Sequence, residues 1–385
     1  MNVLCVVGTR PEAIKMAPII LAFKQIASAH VRVLVTAQHR HLLDQVMKVF
    51  HLEADIDLDV MKPNQSLAQL TARLLFDLEA VLQAEKPDVV LAQGDTTTVM
   101  TVALACFYLQ IPFGHVEAGL RTWDMQNPFP EEMNRVIAGK LARWHFAPTE
   151  SARQNLLREG VDDARIVVTG NTVIDALLSV VNTNVALPVV LDVDKRLILV
   201  TVHRRENFGK PLVQICHALL KLLDCNQDIQ ILYPVHPNPN VHDVAYQLLG
   251  GHPRLFLCEP LDYLPFVCAM KQAYFILTDS GGVQEEAPAL GRPVLVLRHE
   301  TERPEAVAEG GVKLVGTDTD TIVREAQRLL DDELSYQEMS RGISPYGDGF
   351  AAPRIVNVLQ EYFGRAQQFA GLSSVAAPIA QMETS

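Results

Sequence analysis

The stretch LTDSGGVQEEA, residues 277–287, has the residue types of an anion-binding turn. The apolar run before it predicts a buried strand, Ser280, Gly281 and Gly282 predict a tight turn, and a helix is predicted to begin there. Helix N–H groups and the positive end of the helix dipole would face an anion. The glutamates that follow could cap the helix, or Glu286 could instead bind a ribose diol while the glycines hold a phosphate.

Acidic side chains also follow predicted strands in the first half of the chain. In open parallel sheets ligands lie beyond the carboxyl ends of the strands, so these positions are candidates for chemistry. Asp95 and Glu117 each follow a predicted strand, and Glu131 lies in the first turn of a predicted helix after Pro130. Asp95 could instead cap a helix. Three acids in one site would perturb one another's pKa values, as in acid–base sites.

Basic residues follow strands as well. The first predicted strand leads into GTRPEAIK, where Arg10 and Lys15 lie near a helix start and suit a phosphate or diphosphate. The alternative is a surface ion pair between Arg10 and Glu12. The GxGxxG pattern of dinucleotide-binding folds is absent from this position.

A second set of basic residues occurs in the second half of the chain. His203 and Arg204 directly follow a predicted strand, His236 follows another in a proline-rich loop, and Arg303 comes after a third. A histidine among arginines can bind a phosphate and exchange a proton, although a surface cluster beside a helix is the alternative. The spacing of these histidines does not fit a metal site, so no metal is expected.

The strands that carry these residues alternate with longer helical patterns, including Ile14–Ala27, Thr97–Gln110 and Leu212–Leu223. The predicted strands are Val3–Val7, Val31–Thr36, Asp88–Ala92, Phe113–Val116, His145–Ala147, Ile166–Val168, Leu197–Thr201, Gln230–Tyr233, Leu255–Cys258, Tyr274–Leu277, Val294–Leu297 and Lys313–Val315. This alternation is typical of an α/β fold with parallel sheets covered by helices on both faces.

The strands form two series, which predicts two Rossmann-like domains that face each other across a cleft. The chain has 385 residues, enough for two full cores. We expect an N-terminal domain over residues 1–186 and a C-terminal domain over 187–365. The last helix, about 353–363, is expected to pack back on the first domain. Residues 372–385 have little pattern and are expected to form a flexible tail.

Charge and cysteine usage limit the partners and the compartment. The net charge of −12 argues against a nucleic-acid backbone or an anionic membrane as partner. No apolar run reaches about 18 residues, so no membrane span is expected. None of the six cysteines forms a CxxC pair, which favours free thiols in a reducing, cytoplasmic environment.

Many long motifs occur in one order along roughly residues 1–365. They are GTRPEAIKMAP, VTAQHR, GDTTT, GHVEAGLRT, PFPEEMNR, TGNTVIDAL, HRRENFG, YPVHPNPNV, YLPFV, TDSGGVQEEAP and TERPEAV. In these motifs the chain resembles the non-hydrolysing UDP-N-acetylglucosamine 2-epimerases. The resemblance implies a glycosyltransferase-B type fold, a homodimer, and interconversion of UDP-N-acetylglucosamine and UDP-N-acetylmannosamine for a surface polysaccharide. It also implies that no cofactor is needed, neither a metal nor a nicotinamide.

The resemblance also implies roles for individual residues. It implies catalytic roles for Asp95, Glu117, Glu131 and His203. It implies substrate contacts for Arg10, Lys15, Phe266, Ser280, Gly281, Gly282, Glu286 and Arg303. It implies a regulatory site for a second UDP-N-acetylglucosamine at Gln38, Arg204 and His236.

The route implied by the resemblance is elimination of UDP to a 2-acetamidoglucal, followed by re-addition with a proton delivered to the other face of C2. Carboxyl groups near both faces and firm binding of UDP would serve this route. Alternatives are a hydrolysing epimerase that releases N-acetylmannosamine, a sugar transferase with the same fold, and a catalytically silent sensor of sugar nucleotides. GTRPEAIK favours the non-hydrolysing branch. The presence of Asp95, Glu117, Glu131 and His203 together argues against a sensor.

Overall fold

The computed structural model describes residues 1–36, 40–62, 64–342 and 344–375, apart from the side chains of 40–42 and 366–375. The chain divides into two compact units. Unit 1 comprises residues 1–172 together with the segment that begins at residue 350, and unit 2 comprises residues 173–349. Each unit is described by itself.

Unit 1 is built on a parallel sheet. Its described strands are β1 (Asn2–Val7), β2 (His30–Val35), β3 (Ile56–Asp57), β4 (Val89–Gln93), β5 (Phe113–Val116), β6 (Trp144–Ala147) and β7 (Ile166–Val168). Their order across the sheet is β3-β2-β1-β4-β5-β6-β7. The helices between them are α1 (Arg10–Lys24), α2 (Arg40–Val49), α3 (Leu67–Glu85), α4 (Thr97–Tyr108), α5 (Glu131–Leu141) and α6 (Glu150–Arg158). A 3-10 turn at Asp163–Arg165 precedes β7.

Helix α3 shows why the elements of unit 1 form where they do. Ser66 caps it, because its hydroxyl accepts from Gln69 N while the Gln69 side chain accepts from Ser66 N. The leucines on one face follow at a spacing of four residues and are buried in the core, where each contributes about 1.5–3 kcal/mol. They are Leu70, Leu74, Leu78 and Leu82. The opposite face of the helix remains exposed, including Phe76.

Unit 2 repeats the same construction. Its described strands are β8 (Arg196–Thr201), β9 (Ile229–Pro234), β10 (Leu255–Cys258), β11 (Ala273–Thr278), β12 (Val294–Val296) and β13 (Val312–Leu314), in the sheet order β10-β9-β8-β11-β12-β13. The helices are α7 (Thr172–Val180), α8 (Lys210–Cys225), α9 (Pro239–Leu249), α10 (Tyr263–Gln272), α11 (Gly281–Ala289), α12 (Pro304–Ala308), α13 (Thr319–Asp331) and α14 (Glu333–Met339). A 3-10 turn at Arg205–Asn207 follows β8.

The last described helix, α15 (Ala351–Val375), belongs to unit 1. It runs well past the predicted end near residue 363, and residues 376–385 of the predicted tail lie outside the described residues. Tyr362 meets Trp144 edge-on, with ring centroids 5.1 Å apart, and its hydroxyl accepts from Arg143 Nη2 at 2.6 Å. Arg354 donates to the Thr169 carbonyl at 3.0 Å. These contacts hold the helix against the β6 and β7 region.

The two parallel sheets confirm the predicted α/β class with two Rossmann-like domains. Each of the twelve predicted strands is present with ends within one residue of the prediction. The two-residue strand β3 was missed because it is too short to carry a periodic pattern. Helix α1 begins at Arg10 rather than Ile14, because Thr9 and Glu12 form a capping box ahead of it. No helix in the described part of the chain has the length and apolarity to cross a membrane.

The division between the units falls after residue 172, earlier than the expected boundary at 186. The segment after α7 is bound to α10 inside unit 2. Lys271 Nζ donates to the Val181 carbonyl at 3.0 Å, and Cys268 Sγ lies 3.2 Å from the Thr183 carbonyl. These contacts bind the segment within unit 2, although residues up to 186 were expected in the N-terminal domain.

Candidate active site

Glu117 lies directly after β5 in unit 1 and is held by two donors. Lys15 Nζ forms a short ion pair with Glu117 Oε2, and Asn171 Nδ2 donates to the same oxygen at 2.9 Å. The Glu117 backbone has φ +62°, a left-handed conformation that costs a non-glycine residue about 1–3 kcal/mol. Such strained residues cluster at functional sites. The sequence predicted Lys15 as a phosphate ligand, and in this structure its ammonium group orients a carboxylate.

Asp95 lies beyond the neighbouring strand β4, in the same unit. Arg135 Nη2 donates to Asp95 Oδ2 at 2.7 Å. Burial raises the pKa of Asp95, the charges of Glu117 and Glu131 raise it further, and Arg135 and Lys15 oppose them. These interactions place the predicted acids in one electrostatic cluster. A carboxyl group with a raised pKa is suited to exchanging protons.

Helix capping does not account for Asp95. The N-cap of α4 is Thr96, whose hydroxyl accepts from Val99 N. The Asp95 backbone is fixed instead by its neighbours, because its carbonyl accepts from Asn134 Nδ2 at 2.9 Å. His115 Nε2 donates to the Gly94 carbonyl at 2.7 Å, and burial lowers the pKa of His115 to about 4, so the ring stays neutral. The strand that carries Glu117 thereby also braces the turn that carries Asp95.

The two glutamates at the start of α5 have different surroundings. Glu132 is buried and accepts from the backbone N–H groups of Thr122 and Trp123 at 3.0–3.1 Å, which fixes the loop between β5 and α5. Glu131 is half-buried and acts on the pKa of Asp95. Of this pair, Glu131 is therefore the member that interacts with Asp95, and Glu132 braces the loop before α5.

Glu12 is a buried acid near the same strand ends. Its Oε2 accepts from Gly8 N at 2.5 Å and from Thr9 N at 3.1 Å, so it does not form the surface ion pair with Arg10 considered above. Arg10 is half-buried in the first turn of α1. Burial raises the pKa of Glu12 to about 7, against hydrogen bonds that favour the charged form.

We expect Glu12→Gln to make the stability of the protein less dependent on pH. The folded state binds the Glu12 proton more tightly than the unfolded state, so the wild type loses stability as pH rises from about 4.5 to about 7. The difference between the two pKa values of Glu12 corresponds to about 3 kcal/mol of stability, at roughly 1.4 kcal/mol per pH unit. Urea unfolding of both proteins between pH 4.5 and 8 measures this difference in stability.

The free energy of unfolding of Glu12→Gln, minus that of the wild type, should therefore increase as pH rises. A difference between the two proteins that stays constant, or that shrinks at high pH, would contradict the prediction.

In unit 2, the N-terminus of α11 is surrounded by positive groups. Ser280 occupies the N-cap position, but its side chain makes no capping hydrogen bond. A Cβ built on Gly281 would lie 3.7 Å from Arg204 Nη2 and 4.0 Å from Arg303 Nη2. Two guanidinium groups therefore stand at the positive end of a helix whose first residues are Gly281 and Gly282. This arrangement suits a phosphate or diphosphate.

The two glutamates of α11 are both buried and are used differently. Glu285 forms a short ion pair with Arg303 Nε, which orients that guanidinium. Glu286 lies near Tyr263, whose pKa is raised by burial and by the Glu286 charge. Phe266 is half-buried one turn further along α10, the helix that Tyr263 begins. Dipole capping is thus not the main reason for the pair, and Glu286 lies beside an aromatic helix end that suits a nucleoside.

Arg298 forms a further charged network that the sequence did not predict. Its guanidinium donates to Glu206 at 2.5 Å and to Glu302 at 2.8 Å. The pKa of Glu302 is lowered to about 2, because Arg298 and Arg204 outweigh the effect of burial. Arg298 is thereby neutralised by acids and is not a phosphate ligand, whereas Arg204 remains at the α11 N-terminus.

His203 follows β8, adjacent to β11, and contacts a buried acid. Its Nδ1 lies 3.1 Å from Oδ1 of Asp279, which directly follows β11. The ring of His203 stacks on His236 with centroids 6.1 Å apart. The strand-end residues of unit 2 therefore gather at one edge of its sheet, together with the start of α11. Gln38, expected at a regulatory site, lies outside the described residues.

Several residues of these clusters were not singled out from the sequence, although four of the five lie within its motifs. They are Asn171 in TGNTVID, Arg135 in PFPEEMNR, His115 in GHVEAGLRT, Asp279 in TDSGGVQEEAP, and Arg298. Their signal was proximity to a strand end or a predicted acid. Among the described residues, no group of three or more His, Cys, Asp and Glu side chains is arranged to hold a metal ion.

Comparison with known proteins identifies one family. A family model described as UDP-N-acetylglucosamine 2-epimerase matches residues 21–360. The UDP-N-acetylglucosamine 2-epimerase of Escherichia coli K12 is 54% identical over 370 residues, which cover 94% of this chain and 98% of that protein.

Solved structures agree with this comparison. A Listeria monocytogenes protein described as a UDP-N-acetylglucosamine 2-epimerase has a TM-score of 0.90 at 47% identity, covering 94% of this chain and 97% of its own. The Neisseria meningitidis enzyme, solved with UDP-N-acetylglucosamine bound, has a TM-score of 0.85 at 47% identity, covering 94% of this chain and all of its own.

Proposed function

This chain belongs to the UDP-N-acetylglucosamine 2-epimerase family, and we propose that it inverts C2 of its substrate by eliminating and re-adding UDP. Family membership confirms the predicted activity, the interconversion of UDP-N-acetylglucosamine and UDP-N-acetylmannosamine by an isomerase. The route and the residue roles are the proposal. The observation that carries it is the acid cluster of unit 1, in which Asp95 has a raised pKa beside an anchored Glu117.

Unit 2 is proposed to hold the UDP part of the substrate. The glycine turn at Gly281 and Gly282, with Arg204 and Arg303 nearby, supplies donors for a diphosphate. Glu286 is proposed to accept from the ribose hydroxyls. Phe266 is proposed to contact the uracil. His203 would support charge on the departing diphosphate.

Unit 1 is proposed to act on the sugar. The C2 hydrogen is not acidic by itself, because no carbonyl is attached to C2. As the C1–O bond breaks, its electron pair leaves with the β-phosphate oxygen of UDP and positive charge develops at C1. A carboxylate then removes the C2 proton, and the C2–H electrons form the C1–C2 double bond of 2-acetamidoglucal.

Re-addition reverses these bond changes on the other face. The UDP oxygen attacks C1 while a carboxyl group delivers a proton to C2, so that no atom is gained or lost overall. Asp95, Glu117 and Glu131 are the proposed proton-transfer groups, and Lys15 and Arg135 orient two of them. Arg10 is proposed as a further substrate contact.

In heavy water, product formed early in the reaction should carry one deuterium at C2. A carboxyl group delivers the proton on the new face, and that proton derives from solvent. An oxygen-18 label bridging C1 and phosphorus should also move into non-bridging positions, because UDP becomes free of C1. Mass spectrometry measures the deuterium, and phosphorus NMR measures the oxygen exchange.

Product that keeps its original hydrogen at C2 would rule out this route in favour of hydride transfer or carbon–carbon cleavage. The same assay tests the alternative functions. A hydrolysing epimerase would release free N-acetylmannosamine with UDP, and a sugar transferase would leave the substrate unchanged without an acceptor.

A homodimer is also proposed, joined through the outer face of α3 and α4. These helices share one core cluster in unit 1, and their outer residues include Phe76, Phe107 and Tyr108 with 75%, 60% and 64% of their surface exposed. Large exposed aromatic side chains on adjacent helices are typical of an interface between subunits. We propose that the partner at this face is a second copy of the chain, because the family resemblance implies a homodimer.

Phe107→Glu should convert the dimer to a monomer, because it would bury a charge in the apolar contact. Light scattering after gel filtration measures the mass. Val193→Glu is the matched control, since Val193 is 95% exposed in unit 2. A wild-type protein with the mass of one chain, or an unchanged dimer for Phe107→Glu, would contradict the proposed interface.

Three further assignments belong to this proposal. A second UDP-N-acetylglucosamine is proposed as a regulatory ligand at Arg204 and His236, with Gln38. A cytoplasmic location is supported by the six free cysteines, four of them buried. The product is proposed to supply a surface polysaccharide.

A further inference from the structure

Asp279 is fully buried at the end of β11 and receives donors from the loop after the adjacent strand β8. Its carboxylate accepts from the backbone N–H groups of His203 at 3.0 Å and of Arg204 at 2.9 Å. Asn207 Nδ2 donates to it at 2.9 Å. The ring nitrogen Nδ1 of His203 lies 3.1 Å from its Oδ1. Asp279 thus contacts both the backbone and the ring of His203.

The surroundings of Asp279 favour its ionised form. Burial alone would raise the pKa of Asp279, but the His203 ring and the backbone N–H groups of His203 and Arg204 hold it below its ordinary value. A buried carboxylate with this many donors is a fixed negative charge. The His203 side chain, in contrast, is 39% exposed. One side of its ring therefore contacts the buried Asp279 carboxylate, and another part is accessible to solvent.

Two basic residues, His236 and Arg204, also lie beside His203. His236 stacks on it with an interplanar angle of 26°, and burial together with His203 lowers the pKa of His236. Arg204 is the next residue along the chain. Asp279 is consequently the acid that contacts the ring of His203 in the described structure.

We propose that Asp279 is the positioning residue for His203. It accepts the Nδ1–H of the imidazole, which fixes the ring orientation and the tautomer and leaves Nε2 as the nitrogen that meets the substrate diphosphate. The inference rests on the proposed function, in which His203 assists the departure and return of UDP.

The proton balance of this step is simple. In this step His203 is the imidazolium, with Nδ1–H bonded to Asp279 and a second proton, taken up from solvent, on Nε2. When the C1–O bond breaks, its electron pair stays on the β-phosphate oxygen, and the Nε2–H stabilises that oxygen by a charge-assisted hydrogen bond. On re-addition the oxygen bonds to C1 and the proton remains with the histidine. Asp279 stays ionised throughout and supports the imidazolium, so it needs no proton of its own.

A purely structural role for Asp279 is the competing explanation, because it also braces the backbone of the loop after β8. The two roles differ in what happens when the imidazole is absent. A brace would matter equally with or without the ring. A positioning residue would lose its effect on turnover once the ring is removed.

The test is a double-mutant cycle of Asp279→Asn and His203→Asn, with kcat, KM and UDP affinity measured for each protein. Asp279→Asn should lower kcat by about 10²- to 10⁴-fold, as loss of a histidine-orienting carboxylate does elsewhere. In the His203→Asn background the same change should alter kcat by less than about threefold. UDP affinity should change little in both backgrounds, because the groups at the start of α11 remain.

The outcomes separate the inference from the proposed function. Equal losses of kcat from Asp279→Asn in both backgrounds, or no loss in the wild-type background, would overturn only the positioning role. Full turnover by His203→Asn would overturn the proposed role of the histidine and the inference with it.

A measurement on the unchanged enzyme covers the case in which Asp279→Asn does not fold. Nitrogen-15 NMR of the labelled protein reports the tautomer of each histidine. We expect His203, assigned by comparison with His203→Asn, to carry its proton on Nδ1 in the neutral form. A neutral ring with its proton on Nε2 would overturn the inference.

Discussion

Asp95→Asn is expected to lower turnover by about 10²- to 10⁴-fold, the range supplied by a positioned acid–base group. The asparagine keeps the shape of the side chain but cannot exchange a proton. Burial and the charges of Glu117 and Glu131 raise the pKa of Asp95, which is the condition that suits it to proton transfer. The measurement is kcat with UDP-N-acetylglucosamine as the only substrate, together with UDP affinity by calorimetry.

UDP affinity should stay within about threefold of the wild type, because the proposed UDP contacts lie in unit 2. Asp59→Asn is a matched control, since Asp59 is an exposed acid of the same unit. A loss of UDP binding that accounts for the whole loss of rate would remove Asp95 from the chemical step. Turnover near the wild-type rate would remove it from the site.

Glu286→Ala is expected to weaken UDP binding by roughly 10- to 150-fold. A hydrogen bond to a buried charged group contributes about 1.5–3 kcal/mol, and Glu286 is 9% exposed in the helix whose N-terminus forms the proposed diphosphate site. The effect should appear in the dissociation constant for UDP and much less in the rate at saturating substrate. Calorimetry with UDP measures it directly.

The chain offers two comparisons for Glu286→Ala. Glu309→Ala removes an exposed acid of the same unit and should leave UDP binding unchanged. Glu285→Ala should also weaken UDP binding, but by releasing Arg303 from its ion pair rather than by losing a ribose contact. Uridine, which has the ribose without the diphosphate, should therefore be affected by Glu286→Ala and not by Glu285→Ala. Equal effects on uridine would contradict this division of roles.

The predictability of the fold follows from how parallel sheets are buried. Strands covered on both faces read as continuous apolar runs, such as VLCVV at Val3–Val7, and these runs were recognised to within one residue. The exceptions have local causes. The strand β3 is too short for a pattern, and α1 begins early because of a capping box. The helix α15 continues past residue 363, where the predicted helix ended.

Candidate site residues were also accessible from the sequence, because a parallel sheet brings the residues after its strands to one edge. Asp95 and Glu117 were found in this way, and the structure assigns both to one charged cluster with Glu131. His203 and the glycine turn were found by the same rule. The position of a residue after a strand predicts that it lies near a site, but does not predict which side chains it contacts there.

The sequence by itself determined the order of elements, the class of fold and the strand-end positions where chemistry could occur, because these depend on local periodicity and on chain order. Only the tertiary structure decided which charges meet. Lys15 contacts Glu117 across 102 residues of chain, Asp279 binds the His203 backbone across 76, and Glu285 forms an ion pair with Arg303. Such pairs form because burial makes an unpartnered charge costly, and a local pattern cannot show which distant group satisfies it.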